Sequence, residues 1–169
     1  MKKKILIILV GILLIILLYE LYYYFYHSPM AFIKSNAVSN INKCHKVADK
    51  DTYDGFHGDG KTITEYDCSN VDVKLNMEKL KELPLTENLD LMMYGGTKDG
   101  KSYNLNLAKD SMPKIENGYY YFYDDYADTY NDIDDYTSDE KLFDRASFNF
   151  KIIIYDSDTK HLYFFELDT

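Results

Sequence analysis

The chain has 169 residues, a formal net charge of −9, and 46% hydrophobic and 16% aromatic residues. That length fits one domain plus an extra segment. Sixteen basic and twenty-seven acidic residues lie beyond Pro29, a formal charge of −11; nucleic acid and anionic lipid, which both need a basic surface, are therefore not expected partners of that part.

The first predicted element lies in MKKKILIILVGILLIILLYELYYYFYHSP. Ile5 to Leu18 is unbroken apolar sequence, and the continuation to Tyr26 makes twenty-two residues with Glu20 as the only charge. A helix of that length covers roughly 33 Å, against about 30 Å for the apolar core of a bilayer. Pro29 would stop it. The reading is an uncleaved signal-anchor over 1–29, a single-pass transmembrane helix meeting the lipid bilayer through Ile5–Tyr26. A cleaved signal peptide competes, but it needs small residues where Tyr19, Tyr22, Tyr23, Tyr24, Phe25 and Tyr26 stand. Lys2, Lys3 and Lys4 beside the apolar run predict a cytoplasmic N-terminus, with the C-terminal domain outside the cell membrane. Lys34, Lys43 and Lys46 weaken that asymmetry.

Residues 30–43 are polar and aperiodic and read as a tether. The acidic domain then runs over 44–169. Cys44 to Cys68 has the form of a hairpin, with the two cysteines symmetric about Phe56 and Thr62–Tyr66 alternating like a strand. Facing cysteines outside the cell permit a disulfide between Cys44 and Cys68; a one-residue bulge would spoil the facing geometry. Free thiols are the alternative.

The tip of this hairpin reads GFHGDGKT and matches the phosphate-loop signature at Gly55, Gly60, Lys61 and Thr62. A working loop needs a buried strand before it and a helix after it, so that N–H groups and the helix dipole meet the anion. Polar sequence precedes Gly55, a strand pattern follows Thr62, and Asp59 would repel phosphate. The match is judged a decoy. His57 with Asp54 and Asp59 has the chemistry for general acid–base work or a weak metal site, at low specificity. His45 and His161 have no spaced partner and read as surface residues.

Leu75 to Leu83 is a helix candidate closed by Pro84. Thr86 to Tyr94 reads equally as a capped helix ended by Gly95 or as a strand, and Tyr103, Leu105 and Leu107 share the ambiguity. Asn117-Gly118 marks a turn and Tyr119–Tyr123 an aromatic strand. Asp124 to Glu140 then holds eight acidic residues and no basic one. Ca²⁺ favours such oxygen clusters, which makes Asp128, Asp132, Asp134 and Asp135 weak ligand candidates. An EF-hand loop from Asp128 fails, because Ile133 replaces the needed glycine. The bland reading is an acidic excursion between strands.

Ala146 to Tyr155 reads as a long strand, Asp156 to Lys160 as a turn, and Leu162 to Leu167 as the strand that pairs back. Ile152–Asp156 also resembles a strand ending in a magnesium-binding aspartate, yet the turn explains Asp156 at once. Local connections without βαβ units predict an α+β domain on a mostly antiparallel sheet, with one to three short helices beside the N-terminal transmembrane helix.

The blocks DTYDGFHGDG, LPLTENLDLMMYGG, IENGYYYF and RASFNFKIIIYDSDT followed by LYFFELDT resemble those of small membrane-anchored proteins of low-GC Gram-positive bacteria. The resemblance covers most of Asp51 to Thr169. It implies no activity and no catalytic residues. The function expected is a membrane-anchored, extracytoplasmic binding or structural domain with an envelope partner and no cofactor. Two alternatives stand beside it: a hydrolase or nucleotide-binding enzyme using Gly55–Thr62, and a calcium-binding acidic loop.

Overall fold

The computed structural model describes residues 2–52, 59–108, 111–130, 135–145 and 147–169, and within the first helix the side chains of residues 8–23. That helix, α1, spans Lys2–His27. Among the described residues no helix is long and apolar enough to cross a membrane. This corrects the expected transmembrane helix. The α+β class and the mostly antiparallel sheet stand.

Pro29 does not merely end a helix; it begins another. Ser28 is the N-cap of α2 (Pro29–Asn36), its hydroxyl accepting from the Ala31 amide at 3.2 Å. Proline is favoured in the first turn, where its missing N–H would have no partner anyway. Residues 30–43 are accordingly no tether. Ile33, Val38 and Ile41 are fully buried, the last in a 3₁₀ turn over Ile41–Lys43.

Six strands form one sheet: β1 (His45–Asp51), β2 (Gly60–Asp67), β3 (Lys81–Glu82), β6 (Gly118–Asp124), β7 (Phe150–Asp156) and β8 (His161–Asp168). The order is β1-β2-β8-β7-β6-β3, antiparallel throughout. A small hairpin of β4 (Gly96–Lys98) and β5 (Lys101–Tyr103) stands apart. Thr86 caps α3 (Glu87–Tyr94) through the Leu89 amide, and Gly95 ends it at φ +75°; the helical reading of this ambiguous stretch holds. Gly118 opens β6 at φ +149°, where a Cβ would collide with the Tyr155 carbonyl.

Leu75–Leu83 is not a helix. Leu75 bridges Val38, the Asn76 amide donates to Ala37 O, and the Ser39 amide donates to Lys74 O. Backbone groups that a helix would use internally are committed to residues 37–39. The strand expected from Ala146 begins regularly only at Phe150; ahead of it the Phe148 amide donates to Thr169 Oγ1.

Strand alternation separates two cores. On one face Ile63, Phe122, Phe150, Ile152 and Phe165 pack with Leu89, Met92 and Met93 of α3. On the other, Tyr66, Tyr121, Ile153 and Phe164 pack with Ile33, Val38 and Ile41. Cys44 and Cys68 form a disulfide beside this second core, with Cα atoms 4.6 Å apart. The β1–β2 register does contain a bulge, between Lys46 and Ala48. It lies tipward of the cysteines. His45 still faces Asp67, so the pairing centred on Phe56 survives at the cysteine end.

Candidate functional site

Lys151 is the one charged residue within the apolar run of β7, and alternation turns it to the second face. Its direct cross-strand neighbours are Tyr123 on β6 and Glu166 on β8. Its ammonium lies 2.6 Å from Asp125 Oδ1, at the start of α4 (Asp125–Tyr130), and 3.3 Å from Glu166 Oε1. It also stands 5.5 Å from the centre of the Phe32 ring. Phe32 comes from α2 and meets Tyr121, Tyr123 and Phe164 at 5.9, 6.0 and 5.9 Å between ring centres. Helix and sheet thus enclose a cleft of about 480 Å³ with aromatic walls and a charged floor.

The charges in this cleft are uneven. Burial pushes Asp125 and Glu166 above the ordinary carboxylate range, and Lys151 pulls them back only in part. Burial alone would lower Lys151; its hydrogen bond and proximity to Asp125, and the charge of Glu166, outweigh that and raise it. These opposed directions describe one arrangement. Two anions share a single cation, which gains from both while each anion has half a partner. At the rim the Tyr123 hydroxyl donates to Asp128 Oδ2 at 2.7 Å. Burial first, and then Asp128, raises the Tyr123 phenol, so it stays a donor.

The candidates named from sequence fall elsewhere. Asp54, Gly55 and His57 lie outside the described residues, and Asp59 is exposed. Gly60, Lys61 and Thr62 lie in β2, a strand and not the helix that a phosphate loop requires. Successive strand residues face opposite ways. Lys61 donates to Leu107 O on one side, while Thr62 shares the row of Glu166 on the other. Asp156 closes its own turn, accepting from the Asp158 and Thr159 amides and the Thr159 hydroxyl.

Of the calcium candidates, Asp128 serves Tyr123, and Asp135 accepts from the amide and hydroxyl of Thr137. Asp132 and Asp134 lie outside the described residues. Among the described residues no group of three or more His, Cys, Asp or Glu is placed to hold a metal. His161 is not a partnerless surface residue: its Nδ1 lies 2.6 Å from Glu65 Oε1, across the β2–β8 pairing.

Sequence reasoning missed Phe32, Tyr123, Lys151 and Glu166. The signal available was a single charge inside each of two apolar strands, FNFKIIIY and LYFFEL. What hid it was the register, which alone makes Lys151 and Glu166 neighbours.

No protein-family model matches the chain, and comparisons with curated proteins and with solved structures find no match. The resemblance noted above rests on the quoted blocks alone.

Proposed function

We propose that this is a binding domain whose ligand site is the cleft between α2 and the sheet. One observation carries the reading: a polar row, Tyr123–Lys151–Glu166, forms the floor of a cavity beside the Phe32 ring. A strand buried this deeply is ordinarily apolar, and an ion cluster there contributes little net stability. Convergent polar groups at the floor of a concave site are what fix a small ligand's orientation. The Cys44–Cys68 bridge supports work in an oxidising compartment, outside the cytoplasm, where an envelope component is the partner we favour. The exposed apolar side chains of α1, Ile8 to Leu18, call for an apolar cover, and lipid is the one we propose.

The test is protein-observed NMR with a cocktail of small cationic, neutral and anionic fragments, followed on the tyrosine rings of the full chain. Shifts should concentrate on Tyr121 and Tyr123 and vanish in Phe32→Trp, which fills the cleft. Shifts spread evenly over the tyrosines, or unchanged by Phe32→Trp, would remove the cleft as the site.

A further inference from the structure

We infer that the cleft is a seat for an organic cation, a primary ammonium or a guanidinium, and that Lys151 is the internal group such a ligand competes with. This rests on the cleft being the ligand site. Among the described residues, three carboxylates, Asp125, Asp128 and Glu166, border the cavity together with one ammonium, Lys151. Asn36, also at its edge, brings no spare charge: its amide nitrogen donates to Phe32 O, and its oxygen accepts from Lys79, which reaches it from outside the cavity.

The aromatic wall already holds a cation. Lys151 stands over Phe32, whose ring face is the negative end of its quadrupole. An arriving ammonium finds the same kinds of partner: a carboxylate oxygen for each N–H, and the half-buried rings of Phe32 and Tyr123 for its alkyl stem. An anion meets three carboxylates instead. A neutral ligand leaves the excess charge uncompensated. A primary ammonium or guanidinium suits the site better than a quaternary one, because the carboxylates accept hydrogen bonds that only N–H can give. The cation could be a free amine or the end of a side chain on a larger chain; the chemistry recognised is the same. The domain's overall negative charge would draw either toward it.

The experiment titrates the full chain with n-butylammonium, the neutral alcohol 1-pentanol, the anion pentanoate, and acetyl-Gly-Lys-Gly-amide. Butylammonium or the peptide should bind, and whichever binds more tightly identifies the source. Lys151→Met removes the competitor and should tighten that binding about tenfold, while the double variant Asp125→Asn, Glu166→Gln should weaken it about tenfold. A neutral or anionic site would show the opposite for Lys151→Met, with binding lost. Near-UV circular dichroism of the tyrosines checks the fold, and Lys151→Gln replaces the methionine variant should that one not fold. If pentanol or pentanoate binds as tightly as butylammonium and Phe32→Trp abolishes it, the cleft is the site and the cation class is wrong. If no probe of any charge shifts Tyr121 or Tyr123, both the class and the site fall.

Discussion

Asp124 and Asp125 are adjacent in the chain and belong to opposite kinds of ion pair. Asp124, at the end of β6, is 1% exposed and bonded at 2.6 Å to Arg145, itself 7% exposed. Its other oxygen accepts from the Ala127 amide, and the guanidinium stacks 4.6 Å from the centre of the Tyr126 ring. This pair is one-to-one and closed to solvent. Asp125 is 31% exposed and shares Lys151 with Glu166 at the edge of a cavity. The difference separates a structural charge from an available one. Burial keeps the closed pair out of a ligand's reach, although Arg145 Nε and Nη1 have no hydrogen-bond partner among the described residues, whereas the open cluster, with more anions than cations, lies within reach.

Breaking each pair should expose that difference. Arg145→Met strands Asp124 in the interior and should cost about 3–5 kcal/mol, read from urea unfolding. Lys151→Met leaves two partly exposed carboxylates that water can reach, and should cost about 1 kcal/mol. Equal losses would abolish the distinction between the two sites.

The two faces should also differ in their dependence on the disulfide, which borders only the core of α2. Closing about 25 residues contributes about 3 kcal/mol on the chain-entropy model. Reductant should lower the unfolding midpoint of the wild type and leave Cys44→Ser, Cys68→Ser unaffected. Hydrogen exchange should rise first on β1, β2 and α2. Uniform loosening of α3 as well would mean that the faces unfold as one.

The smallest effect is electrostatic. Burial holds Asp125 above its ordinary 3.8 and Glu166 above its ordinary 4.5. A carboxyl raised on folding keeps its proton better in the folded state. Its contribution is full below the ordinary value and is lost as pH rises through the folded one. The wild type should therefore lose thermal stability relative to Asp125→Asn, by a few degrees at most, as pH climbs upward from 3.8. A difference independent of pH would show that Asp125 is solvated like any surface carboxylate.

Local sequence determined much of this protein. Alternation and turn chemistry marked β2, β6, β7 and β8, and the symmetric spacing of Cys44 and Cys68 placed their bridge, because hairpins are built from neighbours in the chain. The capping threonine and terminal glycine around Glu87–Tyr94 were visible too, though they did not by themselves exclude a strand. Tertiary structure decided the rest. Residues 30–43 look like a polar linker because their apolar positions are few, and only the waiting sheet face buries Ile33, Val38 and Ile41. Leu75–Leu83 has a helical pattern that pairing with residues 37–39 overrides. The cleft was out of reach for the same reason. Its parts come from α1, α2, β6, α4, β7 and β8, and pairing across strands more than a hundred residues from Phe32 brings Lys151 and Glu166 beneath that ring.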